Sequence, residues 1–197
     1  MAHAITLSPT LLRVEALRQL RNPYTLAFTL AMPVAMYLLF GAGASYAASS
    51  AGHGNVAFYV MVSMATYGAA VAMTSSTSAA AVEAAQGWGR QLAMTPLRTA
   101  GYAATKLITA LAGATLAVAL VFLVGAVTGA EASDGWRWAL CAVLVVAGAL
   151  PFGLYGLGMG LVFRSDGAAT LASISLTFFG FFGNVFMPRL AGFGARL

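Results

Sequence analysis

Lysine occurs once in this chain, cysteine once and carboxylates five times in 197 residues. Each scarcity closes a class of function. Cys141 stands alone in an apolar run, so no disulfide framework and no Cys/His metal site can be built. A free thiol in such a run is expected to pack in a core. The lone Lys106 follows Thr105, and G-x-x-x-x-G-K-[ST] is absent, so no phosphate-cradling loop of that kind exists. Although the pI is near 9.8, there is no Lys/Arg-rich run and no aromatic-basic interleaving, so nothing points to nucleic acid. His3 and His53 lie too far apart in the expected topology to share a metal and read as surface histidines.

What the chain has in quantity is apolar surface. Hydrophobic residues make up 60%, charged residues 8%, and the mean hydropathy is +0.86. A water-soluble globule of that composition could not cover itself, so the sequence reads as an integral membrane protein. A charge at the bilayer centre costs about 2.5 to 3.5 kcal/mol or more, so intervals free of Asp, Glu, Lys and Arg mark possible crossings. Four such intervals run from Asn22 to Val82, Leu107 to Ala130, Trp138 to Phe163 and Gly167 to Pro188. One crossing takes about 20 residues. The first interval therefore holds two, separated by the small, polar, glycine-containing loop Ser45 to Asn55. The expected fold is a single all-α transmembrane domain over residues 1–197, with five spans near 25–44, 56–79, 107–130, 138–163 and 167–187.

Lys and Arg in the short flanks set orientation. With the N-terminus inside, seven basic residues are cytoplasmic (Arg13, Arg18, Arg21, Arg90, Arg98, Lys106, Arg164), against three outside (Arg137, Arg189, Arg196). Trp136 and Trp138 flank Arg137 and read as anchors at the outer interface. No cleavable signal peptide is expected, because a charged segment precedes the first apolar run. That segment, within residues 5–22, begins with a Ser-Pro helix start and reads as an imperfect amphipathic interfacial helix. Leu12, Ala16 and Leu20 line one face, with Glu15, Arg18 and Gln19 roughly opposite.

The most polar stretch is EAAQGWGRQLAMTPLRTAGYAATK, Glu83 to Lys106. Glu83 to Met94 holds good helix formers interrupted by Gly87 and Gly89, and Thr95-Pro96 should stop the helix. Trp88 and Leu92, four apart, share a face. The residues alone leave two readings open: a surface helix presenting an apolar knob to a soluble partner, or a hairpin resting among headgroups. The expected spans lack the ionisable side chains with which ion-coupled transporters bind or relay a driving ion. If the chain pumps, a separate ATPase must supply the energy.

Several stretches in order resemble the integral-membrane subunits of type-2 ATP-binding-cassette (ABC-2) exporters. EALRQLRNPYTLAFTLAMPVAMYLLFG, Glu15 to Gly41, is similar to the family's connecting helix, Arg-Asn-Pro lead-in and first span with internal proline. The polar stretch resembles its pattern of Glu, Gly-Trp, Arg-Gln-Leu, Thr-Pro-Leu and a later Tyr and Lys. LPFGLYGLGMGLVFRSDGAAT, Leu150 to Thr170, resembles its Gly-rich fourth span and short inner loop, and GNVFMP, Gly183 to Pro188, its fifth-span exit. The resemblance covers nearly the whole chain. It implies a multi-pass permease in a bacterial plasma membrane, N-terminus cytoplasmic, exporting an amphipathic or hydrophobic substrate of drug, lipid or polysaccharide class. It also implies a second permease half, in a homo- or heterodimer, and a separate ATPase subunit that binds ATP and Mg, this chain binding no cofactor. Residues 83–98 would be the coupling segment, with Glu83, Gly87, Trp88, Arg90, Gln91, Leu92, Thr95 and Pro96 docking the ATPase and Arg164, Ser165 and Asp166 forming a minor second contact. The family usually has six spans, so the resemblance implies that a last segment is lacking and a truncated or shortened form is expected. The alternative function is a non-transporting accessory or scaffold membrane protein, or an inactive truncated permease.

Gly156 and Gly160 form a G-x-x-x-G spacing that lets another helix approach closely, more readily within the chain than from a second copy. Pro33 and Pro151 interrupt the hydrogen-bond ladders of spans one and four, where kinks are expected. Ser63, Thr66, Ser173, Ser175, Thr177 and Asn184 are expected to hydrogen-bond between helices. Phe178, Phe179, Phe181 and Phe182 suit an apolar path, or simply pack or face lipid.

Overall fold

A computed structural model describes residues 9–88, 99–163, 167–183 and 185. Among them the chain is an all-α membrane protein with one short hairpin. The N-terminal helix is α1 (Pro9–Arg21). The first apolar stretch, residues 23–42, is helical but irregular: α2 (Pro23–Leu26), a π-helical turn at Ala27–Ala31, α3 (Met32–Tyr37) and a second π-helical turn at Leu38–Ala42. Pro33 stands at the start of α3 with no N–H to donate, so the ladder widens just before it. The loop that follows carries the antiparallel pair β1 (Ser50–Ala51) and β2 (Gly54–Asn55).

The remaining helices are α4 (Val56–Glu83), α5 (Thr99–Val127), α6 (Trp136–Gly148), α7 (Leu150–Phe163) and α8 (Ala168–Phe182). Three stretches are long and apolar enough to cross a membrane: Val56–Glu83, Gly101–Val127 and Trp136–Phe163. Thr29–Ala42 and Ala168–Phe182 are shorter apolar helices at the positions of the first and fifth expected spans. The stretch Trp136–Phe163 bends at Ala149, between α6 and α7, two residues before Pro151. There the missing proline N–H leaves the ladder short of a donor. α4 runs past the expected end at Ala79 to Glu83, because no breaker interrupts it and Ala80, Ala81 and Val82 are buried.

α4 is the hub, packed against α3, α5, α6, α7 and α8. A helix apolar all round belongs inside a bundle, and α4 is buried along most of its length. Tyr37, Met61, Met64, Met73 and Val121 are fully buried around it, with Cys141 packed at the edge of the same core. α7 reaches α4 through its glycines. A Cβ at Gly156 would collide with the Thr74 carbonyl oxygen and Thr77 Oγ1, and one at Gly160 with the Ser78 carbonyl oxygen and, at 2.7 Å, Ala81 Cβ. The G-x-x-x-G spacing thus serves contact within this chain.

The outward faces carry apolar side chains, among them Leu123, Leu154, Val162 and Phe182, the surface that acyl chains would cover. Phe178, Phe179 and Phe181 are also largely exposed, with the Phe179 ring edge-on to Tyr155 of α7 at 6.1 Å between centroids. Two of the expected interhelical hydroxyls cross between helices: Thr177 Oγ1 lies 2.8 Å from the Tyr67 hydroxyl, and Ser175 pairs with the Tyr155 hydroxyl. Thr66 and Ser173 instead donate to their own helices, at the carbonyls of Val62 and Ala169, which satisfies them without a neighbour. Asn184 lies outside the described residues.

Candidate functional site

The two ends of the bundle are closed by different chemistry. At the hairpin end, Asn55 Oδ1 caps α4 by accepting the Phe58 N–H (2.8 Å) and also accepts the Glu131 N–H (3.0 Å), while Asn55 Nδ2 donates to the Gly129 carbonyl (2.8 Å). Gly129 has φ +89°, a conformation that a side chain would strain. Ser133 donates through both its N–H and its hydroxyl to the His53 carbonyl. Beneath this cap, Trp138 packs edge-on between Phe58 and Phe122, at 5.2 and 5.8 Å between centroids. The expected pair of interfacial tryptophans therefore splits. Trp136 is exposed beside the Arg137 guanidinium, whereas Trp138 is partly buried and packs against the core between two aromatic rings.

At the opposite end four charges converge. Lys106 Nζ lies 2.8 Å from Glu15 Oε1 and 2.7 Å from Glu83 Oε2. The Tyr102 hydroxyl donates to the same Glu83 oxygen at 2.8 Å, and Arg18 Nη2 pairs with Glu83 Oε1. Two carboxylates and two cations cancel. Three elements are tied by this arrangement: α1 through Glu15 and Arg18, the last residue of α4 through Glu83, and the first turns of α5 through Tyr102 and Lys106. The Lys106 side chain is only 7% exposed, so its charge is sustained by the carboxylates rather than by water. Partial burial works against the Arg18 charge, yet its bond to Glu83 and the negative field of Glu83 and Glu15 prevail, raising its pKa above the ordinary value. Next to this cluster, Gln19 donates to Ser76 Oγ at 2.9 Å.

This geometry fixes which face of α1 meets the bundle. Glu15 and Gln19 face the bundle, while Val14, Leu17 and Leu20 are exposed. Beside a bilayer, lipid takes the apolar side and the protein supplies the only polar partners.

Glu83 and Lys106 bracket the chain that joins α4 to α5, so their contact closes the base of that connection. Beyond Glu83 the backbone continues as a π-helical turn, Ala84–Trp88, kinked at Gly87 with φ +101°. Only glycine takes that value without strain, and the chain changes direction there. Trp88 closes the described stretch. Arg90, Gln91, Leu92, Thr95 and Pro96 lie outside the described residues, as do Arg164, Ser165 and Asp166. Sequence reading singled out Glu83 but not its partners Glu15, Arg18, Tyr102 and Lys106. The signal available was scarcity, since a lone lysine in so apolar a chain needs carboxylates near it. No group of three or more His, Cys, Asp and Glu arranged to hold a metal occurs among the described residues.

The ABC-2 type transporter family model matches residues 7–191. The chain belongs to that family. YvfS of Bacillus subtilis (strain 168), provisionally named a transport permease, is 28% identical over 185 residues, covering 88% of this chain and 71% of the relative. No solved structure matches the chain. A membrane component of a transporter is the role that the family assigns.

Proposed function

We propose that the chain is the permease subunit of an ATP-driven exporter, worked from the cytoplasm by a separate ATP-binding-cassette subunit that binds the ATP and Mg. In this reading the N-terminus and the α4–α5 connection lie on the cytoplasmic side, and a second permease half completes the path. The observation that carries it is the four-charge cluster at the base of the connection. In a chain with so few charges, it anchors both ends of one polar segment to α1 and to the two most extensively packed helices. A push on that segment then reaches α4 and α5 as a rigid movement instead of being lost in a slack loop.

Glu83 spends both oxygens inside the chain, so its part in docking is to position the segment. The docking contact is assigned to Trp88, just past the kink at Gly87, and to Arg90, Gln91, Leu92, Thr95 and Pro96. Arg164, Ser165 and Asp166 supply a smaller contact. The cargo is amphipathic or hydrophobic, in keeping with helices whose charges are confined to their ends.

Replacing Trp88 with Glu, together with Gly87→Asp, tests the docking role by co-sedimentation of the cognate ATPase with membranes. The ATPase is expected to shift to the soluble fraction while the permease stays in the membrane. Undiminished co-sedimentation would overturn the role.

A further inference from the structure

Two cavities of about 250 and 240 Å³ lie side by side between α1 and the bundle, sharing Gln19 and Thr109 as their common wall. Together they reach the size of a small-molecule site. The first is apolar, lined chiefly by Ala16, Leu20, Leu26, Leu30, Ala112 and Leu116. Leu20 and Leu116 are half exposed at its rim, so it opens where lipid would lie. The second is the more polar of the two, lined by Gln19, Asn22, Ser75 and Ser76 together with Glu15, Arg18 and Lys106 of the ion cluster itself. Gly113 makes the junction possible. A Cβ there would stand 2.6 Å from Gln19 Nε2, so its absence lets Gln19 cross between the lobes to Ser76.

We infer that this crevice binds an amphiphile with one alkyl chain and an uncharged, hydrogen-bonding head: the chain in the apolar lobe, the head among Gln19, Asn22, Ser75 and Ser76. Charge complementarity selects the head. Glu15, Arg18, Glu83 and Lys106 neutralise one another, so a charged head would shed water without gaining an unpaired counter-charge. Hydroxyls or amides, in contrast, meet a wall of hydroxyl and amide groups. Adjacent apolar and polar lobes also fix the orientation of such a molecule, as a site with few well-placed polar groups does. Naming the bound amphiphile as cargo rests on the export reading, whereas its binding is independent of any ATPase.

The probe is dodecyl maltoside with a photoreactive diazirine at the end of its chain, applied to the full-length protein in lipid nanodiscs without ATPase. Labelled peptides should come from α1, residues 23–30 and residues 109–116. Unlabelled dodecyl maltoside should suppress labelling at least tenfold, and equal concentrations of dodecyl sulfate or dodecyltrimethylammonium by less than twofold. Ala112→Phe fills the apolar lobe and should abolish labelling there, while Leu123→Phe on the lipid-facing side should leave it intact. Should Ala112→Phe misfold, Leu116→Ala enlarges the lobe and should shift preference towards a tetradecyl chain. Even labelling of all lipid-facing helices, or equal competition by the charged detergents, would overturn the site. Because no ATPase is present, that outcome is separable from failure of the docking role.

Discussion

The hairpin end and the α1 end of this bundle solve the same problem, closing a set of helices at a membrane surface, with opposite means. At the hairpin end one neutral side chain, Asn55, satisfies three backbone groups, and aromatic rings fill the space beneath. At the α1 end, closure depends on four charges and one phenol, with Lys106 and Glu15 largely out of water and Arg18 at the exposed edge. A cap of neutral hydrogen bonds leaves no buried charge behind when one bond is lost. An ion cluster is all-or-none, since removing one member leaves its partners charged and poorly solvated. The interdependent end is also the one from which the polar α4–α5 connection emerges.

The largest difference is expected at Lys106. Lys106→Met leaves two carboxylates, Glu15 and Glu83, with Arg18 as the one cation between them and should lower stability by about 3 to 5 kcal/mol, read as a fall in the unfolding midpoint in detergent. Adding Glu15→Gln removes the surplus charge and leaves Glu83 to Arg18 and Tyr102, so it should restore more than half of that loss. An intermediate effect is expected at the other end. Asn55→Ala removes the α4 cap and two loop contacts, for about 1 to 2 kcal/mol by the same measurement. The smallest concerns the Asp134–Arg137 pair, which at 2.7 Å is as short as any bond to Lys106 but whose side chains are 48% and 26% exposed. Arg137→Ala should cost about 0.5 kcal/mol or less, vanishing at high salt. If Arg137→Ala and Lys106→Met proved equally costly, the contrast between the two ends would be lost.

Much of the helix plan was legible because a bilayer penalises charge so strongly: the charge-free intervals, the turn at Ser45 to Asn55 and the bend near Pro151 all follow from local composition. The ends of helices were less so. α4 ends at Glu83, where Lys106, Tyr102 and Arg18 receive that carboxylate, and no local pattern announces partners 23, 19 and 65 residues away. Which face of α1 turns inward was not legible for a related reason. Periodicity separates apolar from polar residues, but which set turns toward the protein depends on whether water or lipid covers the other. Trp138 shows the same ambiguity in one residue, since tryptophan suits both an interface and an aromatic core. The candidate site is legible from Glu83 to Trp88 through Gly87, whose positive φ explains why a glycine stands there.

The account depends on which side of the membrane the α4–α5 connection occupies, and cysteine labelling reads that directly. In a Cys141→Ala background, Gln86→Cys places one thiol at the exposed start of the connection. His53→Cys places one in the hairpin turn as a control. With a membrane-impermeant maleimide, the position-53 thiol should react in intact cells and the position-86 thiol only after the membrane is opened. Labelling at position 86 in intact cells would contradict the account.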